Sequence, residues 1–484
     1  MAGIGFELKR LFDVRGVLAT VRAYGYAGVV CCGPMLLGLL LQVGIIALAV
    51  ASGAPRDGRE LLVCLVTYAL LASLACSSLF SLPVTRYIAD ALFAGRERAV
   101  LPSFQGSCAS MLVPGCALYA AFLAVSGASL LEAVLSLWLF AEMLVNWNAM
   151  SYLTAIKDYR AILCSFIAAI LVSLGAGAAA LALGAPVVEG LLLAVVLGYG
   201  TMMAWDTVLL YRYFPRSDES PWDFLRYFDR FRPLALIGLL TTVGLFSHLV
   251  IVWCGPIGVE VRGLFRGAPY YDVPALVAFL TILVTTVNFV VSVEVNFYPE
   301  YRAYYGLFNE GGVVADIVDA EERMLAVLAR ELRYGALKQL FVTAAAISLE
   351  SVVLGELPLG FNDLMHGYVR TLCVGYGLYA VGNTIMLILL YFTDYAGALA
   401  ATAVFAALST VLTWVSLWWD QSFYGFGFLL GAAAFFGIAL VRLARFTTNL
   451  PYRILSRQPL VEHEREGVFS SVARLLERGR WVRG

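Results

Sequence analysis

The sequence is short of charge. Asp, Glu, Lys and Arg make up 14% of its 484 residues, against roughly 25% in an average soluble protein. At roughly 150 residues per domain the length would suggest about three soluble domains, but so few charges cannot solvate that much surface. The charges also balance, 33 basic against 34 acidic, so no net field draws the chain to nucleic acid. Histidine is scarce, at three residues. The nine cysteines (Cys31, Cys32, Cys64, Cys76, Cys108, Cys116, Cys164, Cys254, Cys373) form no CxxC and no Cys/His ligand spacing, and they read as small buried hydrophobes in apolar runs. The chain lacks a Walker A sequence, HExxH and GxSxG, so no cofactor, metal or catalytic residue is expected. It also lacks a cleavable signal, because the first apolar run starts near Tyr24 and is long enough to span. A transporter without catalytic chemistry fits these absences, with energy from an ion gradient, a substrate gradient or a partner enzyme.

What is present is apolar residue, 61% of the chain, in blocks near the ~20 residues that cross a bilayer as a helix. Lipid offers no partner to open backbone groups, so spans must be helical. Twelve are predicted: 24–51, 61–83, 102–126, 130–155, 161–184, 187–212, 233–254, 273–298, 336–357, 367–392, 397–418 and 423–446. The fold class expected is an all-α polytopic membrane protein. With the N-terminus inside, inner segments carry 28 Lys and Arg against four outside (Arg56, Arg59, Arg262, Arg266), which puts both termini in the cytoplasm.

The chain also repeats itself. Pro83 and Arg86 after span 2 match Pro299 and Arg302 after span 8 at one separation of 216 residues, and Gly95 matches Gly311. Span 4 ends in Asp158-Tyr159 and carries Asn146; span 10 ends in Asp394-Tyr395 and carries Asn383. Either chance placed Pro and Arg at inner helix ends, or the chain is two parallel six-helix halves of the kind found in alternating-access transporters. The duplication predicts a cytoplasmic amphipathic N-terminus (1–23), an N-terminal six-helix bundle (24–212), a cytoplasmic linker (213–232), a C-terminal bundle (233–446) with a cytoplasmic helical loop (299–335), and a basic amphipathic tail (447–484).

Polar residues inside the spans mark a transport pathway, because an intramembrane charge costs about 2.5–3.5 kcal/mol on insertion scales and seeks a cavity or a partner. Glu142 and Asn146 lie one turn apart on span 4, with Trp138 a turn earlier and Asn148 on the adjacent face. This face either lines a water-filled cleft between the halves, with Glu142 as a proton or cation site, or makes interhelical hydrogen bonds. Asn288 and Glu294 in span 8 and Asn383 in span 10 would continue the cleft. Asp206 sits near Arg212 as a local pair. His248 is either a proton relay or a packed neutral ring. Arg370 either pairs with Glu350 or Glu356 as an outer gate or substrate contact, or snorkels to headgroups. Loop 313–335 mixes acids (Asp316, Asp319, Glu321, Glu322, Glu331) with an apolar stripe, which suits a protein partner better than lipid. In the tail, Val468, Phe469, Val472, Leu475 and Leu476 form an apolar side, suited to lipid or to another protein.

The opening MAGIGFELKRLF (Met1–Phe12) and the run RAYGYAGVVCCGP (Arg22–Pro34) resemble the Pel exopolysaccharide inner-membrane transporter family (PelG-like). FYPEYRAYY (Phe297–Tyr305) and YGFGF (Tyr424–Phe428) are similar too. The resemblance implies membership of the multidrug/oligosaccharidyl-lipid/polysaccharide (MOP) flippase superfamily, with two six-helix bundles in a V. It implies export of a hexosamine-rich polysaccharide across the bacterial inner membrane. The partners it implies are a cytoplasmic glycosyltransferase that uses UDP-sugars and membrane subunits of a synthase complex, one of them a cyclic di-GMP sensor. Two rivals remain open: a proton- or cation-coupled flippase or antiporter of lipid-linked oligosaccharide or small molecules, and a non-transporting scaffold for a polysaccharide synthase.

Overall fold

The computed structural model describes residues 28, 36, 38–153, 159–355, 360–448, 450–452 and 467–481. Eleven helices among them are long and apolar enough to cross a membrane, and a shorter apolar helix, α1 (Gly38–Ala51), is the described part of the first predicted span. The chain is nearly all helical, as its apolar blocks require.

Two compact units emerge. One comprises residues 33–246, 258–267 and 462–484; the other comprises 1–32, 247–257 and 268–461. The first unit holds α1, α2 (Arg56–Phe93), α3 (Val100–Val125), α4 (Leu130–Leu153), α5 (Tyr159–Ala182) and α6 (Val187–Tyr213). A single-turn helix, α7 (Arg226–Arg230), lies in the linker, and α8 (Arg232–Trp253) begins in this unit and ends in the other. Small residues set the packing distances. A Cβ on Gly198 of α6 would lie 2.6 Å from the Ala169 carbonyl of α5, so only glycine permits that approach.

Two segments far away in sequence complete the first unit. Strands β1 (Val259–Arg262) and β2 (Phe265–Gly267) pair antiparallel, Val259 opposite Gly267 and Glu260 opposite Arg266. Phe265 is fully buried in the core with Tyr68, Phe122 and Leu139, and the Tyr68 hydroxyl donates to the Arg266 carbonyl at 3.1 Å. The start of α4 is a capping box: Ser129 Oγ accepts from the Glu132 amide and Glu132 Oε2 accepts from the Ser129 amide. Arg262 then donates to both Glu132 oxygens at 2.8 and 2.9 Å. The sequence reading had this segment as an outer loop and missed the strands, because seven strand residues give too little alternation to detect.

The other unit holds α9 (Pro269–Leu280), α10 (Leu283–Val290) and α11 (Tyr298–Glu310), then α12 (Val314–Gly355), α13 (Asp363–Tyr391), α14 (Tyr395–Ser416) and α15 (Phe426–Thr447). Predicted span 8 is broken: α9 gives way to α10, and a π-helical stretch, Val291–Phe297, runs into α11 just before Pro299. Wide turns of this kind are uncommon and cluster at functional sites. The repeat has a structural counterpart here. Both α2 and α11 carry the Pro–Arg pair, and both are followed by a glycine in the left-handed conformation, Gly95 (φ 69°) and Gly311 (φ 78°), where a side chain would be strained. Asp394 at the start of α14 is fully buried and bidentate with Arg442 of α15, its equivalent Asp158 lying outside the described residues.

Helix α12 changes the reading of loop 313–335. It runs 42 residues without interruption, roughly 63 Å at 1.5 Å per residue, while a span needs only about 30 Å. The predicted loop helix and span 9 are therefore one rod. The apolar stripe is not free, since Ala320, Met324 and Leu328 are buried, and α12 packs against α11, where Tyr304 is buried too. Asp316, Asp319 and Glu322 remain exposed, while Glu321 and Glu331 are half-buried.

Of the cysteines, Cys64 and Cys373 are buried, but Cys164 on α5 and Cys254 just past the end of α8 are exposed, which corrects the expectation that all are enclosed.

Candidate functional site

Each unit encloses its own polar constellation. In the first, α4 supplies the side chains and α3 and α6 receive them. Glu142 is buried against Gly200, where a Cβ would lie 2.8 Å from Glu142 Oε1. The glycine thus leaves room for the carboxylate. Glu142 Oε2 has no hydrogen-bond partner among the described residues. Asn146 donates to the Tyr199 carbonyl of α6 at 3.2 Å, and its own oxygen has no partner among the described residues. Asn148 turns to α3, donating to Ser107 Oγ at 2.7 Å, and Tyr152 donates to Ser103 at 3.2 Å. Trp138 is exposed, one turn before Glu142 on the same helix.

Asp206 on α6 is fully buried, and neither oxygen has a donor in good hydrogen-bond geometry. No ion pair joins it to Arg212 among the described residues, so the expected local pair is not formed. Arg212 is one and two-thirds turns further along α6, on a different face.

The second unit has a cluster of amides and hydroxyls at the π-helical stretch. Asn288 donates to Ser292 and accepts from Lys338 Nζ at 2.5 Å. Gln339 accepts from Thr285 at 2.5 Å and donates to Thr343 at 3.2 Å. A cavity of about 20 Å³, lined by Asn288, Ser292, Glu331, Gly335 and Thr384 among others, adjoins it; that is room for roughly one water. Gly335 opens the space, because a Cβ there would lie 3.2 Å from Asn288 Nδ2. Asn383 is half-buried on α13, and no hydrogen bond joins it to this cluster among the described residues. The Glu294 side chain lies outside the described residues. Lys338, Gln339 and Thr343 were missed by the sequence reading, since they sit at the membrane end of a helix read as two pieces.

His248 is packed. Its two ring nitrogens meet the Tyr271 and Tyr376 hydroxyls at 2.9 and 3.3 Å, and the Phe428 ring packs on it, tilted, at 4.5 Å. A ring held between two tyrosine hydroxyls and an aromatic face fits the packed alternative. Arg370 does pair with Glu350: its Nη2 and Nε lie 2.6 and 2.7 Å from Oε1, and His366 meets the other oxygen. Glu350 is buried while Arg370 is largely exposed. The third member, His366, was not foreseen, and Glu356 lies outside the described residues.

The chain matches the model of the PelG exopolysaccharide exporter (EPS-E) family over residues 1–455. No curated protein matches it significantly. Among solved structures, it is similar to an outward-facing multidrug resistance MATE family transporter of the MOP superfamily (TM-score 0.61, 14% identity, covering 89% of this chain and 97% of that one). It is similar to a MOP superfamily transporter from Pyrococcus furiosus (TM-score 0.61, 12% identity, covering 88% and 96%). An inward-facing MATE transporter also matches (TM-score 0.58, 12% identity, covering 88% and 99%). At these identities the structural likeness is one of fold.

Proposed function

Because the chain belongs to the PelG exopolysaccharide exporter family, and so is a multi-pass membrane transporter, we propose that it exports a hexosamine-rich polysaccharide across the bacterial inner membrane, with both termini in the cytoplasm and a cytoplasmic glycosyltransferase feeding it. The observation that carries this reading is the character of the enclosed polar groups. They are mostly neutral: Ser103, Ser107, Asn146 and Asn148 in one unit, and Thr285, Asn288, Ser292, Gln339 and Thr343 in the other. A sliding sugar polymer needs many weak contacts rather than one tight site, and amides and hydroxyls exchange hydrogen bonds with sugar hydroxyls at little net cost. The rod α12, with Asp316, Asp319 and Glu322 on its exposed side, is the surface proposed to receive the enzyme and the membrane subunits of its complex.

The second reading, a proton- or cation-coupled flippase, is favoured by Glu142, whose buried carboxylate has an oxygen without a partner. Secretion assays on two variant sets separate the readings. Glu142→Ala with Asn146→Leu should reduce export while the glycosyltransferase still copurifies. Charge reversal at Asp316, Asp319 and Glu322 should reduce export and copurification together. Normal export from the first set with loss from the second would leave only a scaffold. Substrate uptake into vesicles without the glycosyltransferase, dependent on Glu142, would establish the coupled flippase instead.

A further inference from the structure

Among its described side chains, helix α16 (Val468–Trp481) is docked by one face. Ser470 and Ala473 are buried against the linker, with Glu477 accepting from Ser220 at 2.6 Å and Phe469 packed on Phe228 at 5.2 Å. Asp229 caps the helix from outside, accepting from the Ser470 amide at 2.6 Å and its hydroxyl at 2.8 Å. On a helical wheel these positions fall on one side. A second side, Val468, Val472, Leu475 and Leu476, stays exposed, between 39% and 74%. Arg474 and Ser471 lie on the third side and are exposed as well.

Where this apolar side lies is constrained. The linker that holds α16 joins Tyr213, the end of membrane helix α6, to Arg232, the start of membrane helix α8. A segment tied at both ends to membrane helices stays at the bilayer surface, and α16 is tied to that segment. The helix sequence adds charge of the matching sign, Arg474, Arg478 and Arg480 against Glu477 alone. An apolar stripe flanked by arginine at a bilayer surface is the chemistry of an interfacial helix on anionic lipid. We propose that α16 is a membrane-surface anchor: Asp229 and the linker fix its orientation, and Val472, Leu475 and Leu476 enter an anionic leaflet.

The test uses the full-length chain in vesicles of phosphatidylcholine, with or without phosphatidylglycerol. A photoreactive residue replaces Leu475, Leu476 or, as the polar-side control, Ser471. Lipid adducts should form several-fold more at 475 and 476 than at 471, and should increase when phosphatidylglycerol is present. Equal labelling at all three positions, adducts to protein alone, or no response to the anionic lipid would overturn the proposal. Each readout concerns a surface position, so a folding failure is not at issue; an unchanged melting temperature for the labelled chains confirms this.

Discussion

The docking of α16 concentrates on one carboxylate, and Asp229→Ala tests whether that carboxylate holds the helix. The Asp229 side chain is only 2% exposed and satisfies two donors of Ser470. Replacing an N-cap by alanine costs about 1 kcal/mol, and stranding the buried Ser470 donors adds about 1–3 kcal/mol. What else holds the helix is the charge-assisted Ser220–Glu477 hydrogen bond at 2.6 Å, worth about 1.5–3 kcal/mol, and two weaker contacts. The Phe228–Phe469 ring pair contributes about 0.5–1.5 kcal/mol, and the partly exposed Arg226–Glu477 pair, at 3.6 Å, contributes under about 1 kcal/mol. A loss of roughly 2–4 kcal/mol shifts the docked fraction by roughly 30- to 700-fold, since about 1.4 kcal/mol is tenfold. Amide hydrogen exchange across 468–477 in detergent should therefore accelerate by that order, while α4 and α13 keep their protection. Gly467→Ala should act alike, because its Cβ would lie 2.1 Å from Asp229 Oδ1. Asp229→Asn, which keeps one acceptor oxygen, should fall between. Exchange unchanged in both Asp229→Ala and Gly467→Ala would refute the assignment of Asp229 as the cap.

The docking of α16 should also respond to pH, through a second linker carboxyl that faces Glu477. Burial first, and then the nearby Glu477 and Glu219 charges, raise the Asp223 carboxyl above its usual range, against the lowering effect of Arg226 and Arg96. An acid with a raised folded pKa stabilises the docked state at low pH, and that contribution is lost as pH rises through the raised value. Tail protection should therefore decline from acidic toward neutral pH, and Asp223→Asn should flatten the profile and tighten docking at neutral pH; an unchanged slope in that variant would exclude Asp223. On α6 two glycines should behave differently. Gly198→Ala drives a Cβ into the Ala169 backbone carbonyl and should cost roughly 1–3 kcal/mol in stability. Gly200→Ala meets only the movable end of Glu142, so the melting temperature should hold while export falls as far as in Glu142→Gln. Full export from Gly200→Ala would argue that the position of the Glu142 carboxylate is irrelevant.

Much of the fold was legible because a bilayer imposes a local rule. An apolar block of about 20 residues must be a helix whatever its neighbours, and most of the membrane helices follow the predicted spans, the broken span 8 and the long rod α12 being the exceptions. The Arg370–Glu350 contact was legible too, since two antiparallel helices with a short connection bring their ends together. Other features were hidden by the same locality. Glu142 and Asn146 share a helix face by spacing, but nothing in the spacing says that Gly200 and Tyr199 lie opposite. Lys338 and Gln339 were lost when a continuous helix was read as a loop helix and a span, because hydropathy changes along α12 while its helicity does not.

By itself, the sequence determined that this chain crosses a membrane many times, and its internal matches raised the expectation of two related halves. Composition, periodicity and internal matching are properties of short stretches, and they act before any tertiary contact forms. Only the tertiary structure decided that Arg262 secures Glu132 across 130 residues and that Asp229 caps a helix 241 residues away. It also decided that the 258–267 hairpin packs with the N-terminal helices and that the stripe on α12 is covered by α11. Such pairings minimise unpaired polar groups and exposed apolar surface over the whole chain at once, and no local pattern encodes which distant partner achieves that.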